Sequence, residues 1–94
     1  MALEWDNNKN KINIDKHGID FFDAHKIFQN PIITKIDDRT DYQEKRWIGI
    51  GKLEQVIVVL VYTQRGKNVR IISIRKANNI ERKIYKEQIK QNEL

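Results

Sequence analysis

The spacing of apolar residues changes at Ile32. Upstream it is helical, with Phe21, Ala24, Ile27 and Phe28 on one face. Downstream, "IITKID", "RWIGIG", "QVIVVLVYT" and "KNVRIISIRK" read as four strands, because β-branched residues dominate and the joins are short enough for hairpins. "VIVVLVY" is apolar on both faces, which predicts the central strand. Further upstream, "LEW" at 3–5 predicts a short strand. Asp6 is placed to cap a helix that Gly18 terminates, and with only Ile12 and Ile14 as apolar residues that helix is expected to be mostly exposed. Asp20 is a second cap candidate, with Asp23 three residues on, for a helix that must end before Pro31. A last helix starts near Asn78 or Asn79, where Glu81 completes a near capping box and Ile80 and Ile84 give a thin apolar stripe. The order β, two helices, four strands, helix predicts an α+β fold, with helices packed on an antiparallel sheet of four to five strands. One domain is expected to span residues 1–94.

The fourth of these long strands keeps cations. "NVRIISIRK" carries Arg70 and Arg75, although an unpaired buried guanidinium costs several kcal/mol. Strict alternation puts Val69, Ile71, Ser73 and Arg75 on one face and Arg70, Ile72, Ile74 and Lys76 on the other. Either the arginines reach water, or they face a site that uses positive charge. In the helix that follows, Arg82, Lys86 and Lys90 repeat at i, i+4 and i+8, so one face is cationic.

Charge sharpens this picture. Residues 1–44 hold six Lys/Arg and nine Asp/Glu, whereas residues 45–94 hold twelve and four. A balance of −3 against +8 points to a polyanionic partner for the second half, with an ordinary lysine-rich surface as the alternative. No run approaches the roughly 18 apolar residues of a membrane span. "MALEWDNNKN" has no apolar signal core, so a cytoplasmic location is expected. The chain has no cysteine, which removes disulfides and thiolate zinc sites.

Candidate chemistry is limited. His17 and His25 lack a zinc-type spacing, and Asp37, Asp38 and Asp41 read as a solvated loop cluster. Ser73 is the sole serine and lies mid-strand, so no serine triad is supported, and the four glycines form no phosphate-cradling loop. No metal site or cofactor is therefore expected. Metal-free RNA cleavage needs less of a protein. The nucleophile is the substrate's 2′-hydroxyl, and the protein supplies a base, an acid and cations for the charge on the phosphorane. Arginine suits the last task, and His17, Glu81 or Tyr85 are candidates for proton transfer. These residues allow cleavage without selecting it over simple nucleic-acid binding.

Several stretches together carry a resemblance. They are Trp5-Asp6, Lys9, Asn13, the Lys16-His17-Gly18 triplet, Phe21 and Ala24, then Arg46, Gly49, Thr63, Arg65, and "RIISIRKA" with Glu81 and Tyr85. In this order and over nearly the whole chain, they resemble the BrnT family of bacterial type II toxins. Ile74 departs from the pattern, since the family usually has a small residue there. The resemblance implies a RelE-like fold with a curved antiparallel sheet, and a ribonuclease that needs no metal and blocks translation. It also implies an RNA substrate and a BrnA-like ribbon-helix-helix antitoxin, expected as a 2:2 complex that touches operator DNA through the antitoxin.

On that reading the catalytic candidates are Arg75, Arg70, His17, Tyr85 and Glu81, and the RNA-contacting candidates are Lys9, Lys16, Arg46, Arg65, Arg82 and Lys86. Each has a structural alternative. Arg75 can pair with Glu81, and Arg70 can lay its stem on the sheet. Arg65 can simply solubilise a hairpin tip, and Arg46 can pair with an acid. His17 can favour a helix C-terminus, and Tyr85 can close the core edge. Trp5 and Trp47 read as core or antitoxin interface. A non-catalytic nucleic-acid-binding module, or a degenerate toxin retained for antitoxin binding, remains open beside the enzyme.

Overall fold

The computed structural model describes residues 2–39 and 43–92. Asp41 of the acidic cluster lies outside them. Strand β1 (Ala2–Glu4) leads into helix α1 (Asn7–His17), and a 3-10 turn at Phe21–Asp23 runs into the short helix α2 (Ala24–Phe28). Strands β2 (Ile33–Ile36), β3 (Arg46–Leu53), β4 (Val56–Arg65) and β5 (Asn68–Lys76) follow, then helix α3 (Asn79–Asn92). The five strands form a curved open sheet in the order β1-β5-β4-β3-β2, with β4 at its centre. β2 to β5 pair antiparallel as the pattern predicts. β1 joins the outer edge of β5 in parallel, which makes the sheet mixed. Strand direction at that edge is set by where α1 returns the chain, and alternation within three residues does not encode it.

Local signals close the helices as the sequence predicts. The Asp6 carboxylate accepts from the N–H groups of Asn8 and Lys9 at 2.8 and 3.0 Å, and Gly18 ends α1 at φ 69°. The Asp20 carboxylate accepts from Phe22 N–H at 2.9 Å, but it caps the 3-10 turn; α2 itself starts after Asp23, which makes no side-chain cap hydrogen bond. Asn78 and Glu81 exchange side-chain to backbone hydrogen bonds at 2.8 and 2.9 Å, a full capping box for α3.

Two apolar layers sandwich the sheet. On one face Phe21, Ala24 and Ile27 pack on Val58, Leu60, Val69, Ile71 and Ile74, all buried. Each such aliphatic or aromatic side chain contributes roughly 1.5–3 kcal/mol on burial. On the other face Tyr85 and Ile89 of α3 pack on Ile57, Val59 and Ala77. This corrects the predicted stripe of α3. Ile80 and Ile84 are 72% and 40% exposed, and Tyr85 and Ile89 take the sheet-facing positions instead.

A β-bulge in β5 changes which residues share a face. Val61 pairs with Ser73, but its neighbour Tyr62 pairs with Ile71, so Ile72 is an extra residue. The two-residue period breaks there. Val69, Ile71 and Ile74 all reach the core with α1 and α2, whereas Arg70, Ser73 and Arg75 lie on the opposite face. The strict alternation expected from the sequence is corrected accordingly. Beyond Arg70, β1 no longer covers the outer edge of β5. Asn13 of α1 takes over. Its Nδ2 donates to Ile74 O and Ile19 O, both at 2.9 Å, and its Oδ1 accepts from Ile74 N–H at 3.1 Å. A side-chain amide thus mimics a strand partner and ties α1 to β5, while Asn10 of the same helix accepts from Phe21 N–H at 2.8 Å and donates to Asp20 at 2.9 Å. Ile74 itself is fully buried in that layer.

Candidate functional site

The face of the sheet that α3 leaves open is built in cross-strand rows. Arg46, Thr63, Arg70 and Glu4 form one row, with Arg65 and Asn68 beyond it toward the hairpin tip. Ile48, Val61 and Ser73 form the next, and Ile50, Val59 and Arg75 the one beside the start of α3. The β4 partners of Arg70 and Arg75 are Thr63 and Val59, four positions apart, so the Cα atoms of the two arginines stand roughly 13–14 Å apart. Their own carboxylate partners, Glu4 and Glu81, lie at opposite ends of this spacing. Ser73 lies midway.

Arg75 lines a cleft of ≈ 530 Å³ between β2, β3 and α3, whose wall also carries Lys35, Arg39, Ile48, Ile84 and Glu81. Arg75, Arg39, Ser73, Val59 and Val61 line a smaller hollow of ≈ 130 Å³ next to it. Ser73 also borders a third hollow of ≈ 180 Å³, on the outer side of β5, together with Lys9, Lys16 and His17 of α1. The bulge residue Ile72 lines that hollow too. Ser73 therefore borders both the hollow that holds the basic groups of α1 and the one that holds Arg39 and Arg75.

The guanidiniums here are held by carboxylates. Arg75 donates from Nη1 and Nη2 to the two Glu81 oxygens at 2.8 and 2.7 Å. Those bonds lower the Glu81 pKa, helped by the Asn78 N–H, and raise that of Arg75. Arg70 donates to Glu4 at 3.0 Å. Glu44 accepts from both Arg46 and Arg65 at 3.4 Å. The structural pairings foreseen for Arg75 and Arg46 are thus present, and Arg70 has an acid partner where only a stem on the sheet was foreseen.

Arg39 is the cleft residue the sequence reading missed. Its Nε and Nη2 donate to Asp37 at 2.8 and 2.9 Å. Asp37 is 4% exposed, so the expectation of a solvated acidic loop is corrected at this position. Its carboxylate is satisfied there by the Arg39 guanidinium, and its own N–H donates to Arg46 O at 2.8 Å. The signal was an Asp and an Arg two residues apart at the end of a strand.

The remaining candidates divide. Lys9, Lys16 and His17 come together beside Ser73. Arg65 is at the β4–β5 hairpin tip, next to Gly66. Arg82 and Lys86 lie on the far side of α3, in a separate groove. Tyr85 is 6% exposed, and its hydroxyl donates to Pro31 O at 2.9 Å. Burial raises its pKa. This is the core-edge placement, and it withholds the proton from the cleft. Trp5 packs on the core. Among the described residues no group of three or more His, Asp or Glu is arranged to hold a metal ion, and no helix is long and apolar enough to cross a membrane.

A family model described as "Ribonuclease toxin, BrnT, of type II toxin-antitoxin system" matches residues 5–81. No curated protein matches the chain. The matched span runs from Trp5 to Glu81, so it includes α1, the bulged strand with its arginines and the carboxylate that holds Arg75. With the family description covering most of its length, this chain belongs to the BrnT ribonuclease toxins of type II toxin–antitoxin systems.

Proposed function

We propose that this chain is a metal-independent endoribonuclease toxin, one domain over its 94 residues, that cleaves RNA at the open sheet face and thereby inhibits translation in the cytoplasm. One observation carries this reading. The bulge turns Arg70, Ser73 and Arg75 onto a single face, with Arg39 beside Arg75 and the α1 basic groups across Ser73. An RNA strand lying along β5 meets a guanidinium, a hydroxyl and a second guanidinium in turn. The scissile phosphate displaces Glu81 from Arg75, which then donates to two phosphate oxygens. The 2′-hydroxyl gives its proton to a base and attacks phosphorus, the P–O5′ bond breaks as O5′ takes a proton from an acid, and the products carry a 2′,3′-cyclic phosphate and a 5′-hydroxyl. His17 is the candidate for proton transfer, and Arg70 positions a neighbouring phosphate.

The partner in this reading is a BrnA-like ribbon-helix-helix antitoxin in a 2:2 complex, through which operator DNA is bound. Ile80 and Ile84 offer it exposed apolar surface beside the cleft. A stable interface buries at least about 1,000 Å².

Purified protein and a labelled RNA in excess EDTA test the proposal. Cleavage to cyclic-phosphate ends is expected. Cleavage that stops with EDTA overturns the metal-free mechanism, and intact RNA under all conditions favours a nucleic-acid-binding module or a degenerate toxin. Co-expression with the neighbouring gene, read by light scattering, tests the complex. Separate elution at micromolar concentration removes it.

A further inference from the structure

Across α3 from the Arg75 cleft lies a groove of ≈ 610 Å³ lined by Lys52, Lys76, Arg82, Lys86 and Lys90. No carboxylate lines it. The contrast with the cleft is sharp. There the guanidiniums of Arg39 and Arg75 each have a carboxylate partner, whereas among the described residues Lys52, Lys76, Lys86 and Lys90 make no ion pair within 4.0 Å. Five cations around one hollow repel each other, and a polyanion removes that repulsion while releasing counterions.

We infer that this groove is a second, non-catalytic binding site for the phosphodiester backbone of single-stranded RNA. The inference rests on the ribonuclease reading for the identity of the polyanion. Arg82, Lys86 and Lys90 follow one another every four residues, about 6 Å apart along the helix axis. That step lets an extended strand meet them phosphate by phosphate, with Lys52 on the sheet side of the groove. Four of the five are lysines, whose mobile point charges suit sequence-independent backbone contact. An acidic amphipathic peptide fits less well. The floor residues Ile57, Ala77 and Tyr85 are only 8%, 4% and 6% exposed, so the apolar surface a peptide could bury is confined to Val56, 42% exposed, and the partly buried Ile89. The aromatic ring in the groove is likewise unavailable for base stacking, which restricts the site to the backbone.

The test is a salt titration of binding to a 2′-O-methylated single-stranded oligonucleotide, which cannot be cleaved, with wild type and a Lys52→Ala/Lys90→Ala double variant. Both side chains are on the groove rim, and Lys52→Gln/Lys90→Gln repeats the measurement with side-chain length retained. The slope of log K against log salt should shrink in magnitude by about 1.4 in either double variant, at about 0.7 per phosphate contact on a single strand. An unchanged slope overturns the site, as does failure of the wild type to bind. If the slope is unchanged and affinity for the co-expressed partner protein falls instead, the groove belongs to that protein. A wild type that binds with the expected slope yet never cuts the unmodified strand leaves the groove standing and removes the ribonuclease reading.

Discussion

Arg75 and Glu81 face each other across the turn between β5 and α3 through two parallel hydrogen bonds of 2.8 and 2.7 Å. The same Glu81 accepts from Asn78 N–H at 2.9 Å, so a single carboxylate caps the helix and occupies the guanidinium that phosphate would need. Glu81→Gln keeps the shape and removes the charge. It should lower stability by about 0.5–2 kcal/mol, measured by urea denaturation at pH 7. The pH dependence follows from the direction of the shift. Folding depresses the Glu81 pKa below its ordinary 4.5, so the stabilisation is complete above that value. It is lost as pH falls through the folded-state value. The gap between wild type and Glu81→Gln should close at acid pH, and a constant gap would show that the pair contributes nothing.

Arg75→Ala should cut RNA cleavage by on the order of a hundredfold or more while circular dichroism stays unchanged. Arg75→Lys should recover only part, because an ammonium cannot hold two oxygens in one plane. Normal cleavage by a folded Arg75→Ala would leave Arg75 as the structural partner of Glu81.

Tyr85→Phe separates the two roles open to that residue. Loss of its hydrogen bond to Pro31 O should destabilise the protein by about 1 kcal/mol, with the cleavage rate intact. A hundredfold fall in rate without loss of stability would return Tyr85 to the chemistry.

Asn13 should be intolerant of change. Asn13→Leu strips partners from Ile74 N–H, Ile74 O and Ile19 O in a buried setting. An unsatisfied buried group costs about 1–3 kcal/mol, so a total of roughly 2–4 kcal/mol is expected in a denaturation experiment. Hydrogen exchange at Ile74 should accelerate in step, and an Ile74 amide as protected as in wild type would refute the clamp.

Gly51→Ala tests how closely α2 rides on the sheet. A Cβ at Gly51 would lie 2.7 Å from the Ile27 side chain, which is itself fully buried. The overpacking should cost about 1–3 kcal/mol, read as a fall in the denaturation midpoint. At the open tip, Gly66→Ala meets no atom within 4 Å but sits at φ 59°, so its cost would come from the backbone alone.

The helix caps and strand identities were legible because each is a local matter. Asp6, Gly18, Asp20, and Asn78 with Glu81 act within three or four residues, and β4 reads as central because it is apolar on both faces. The Arg75–Glu81 alternative was visible for the same reason. Three features depended on partners far along the chain. The bulge at Ile72 arises from how β5 must register with β4 while Asn13, 61 residues away, holds Ile74, and it reversed the face of every β5 residue on one side of it. Ile80 and Ile84 are left exposed while Tyr85 reaches Pro31, and Asp37 is buried at the sheet edge where Arg39 satisfies its carboxylate. Periodicity reports which residues are apolar. Which of them meet, and so which arginines share a face, is decided by long-range packing.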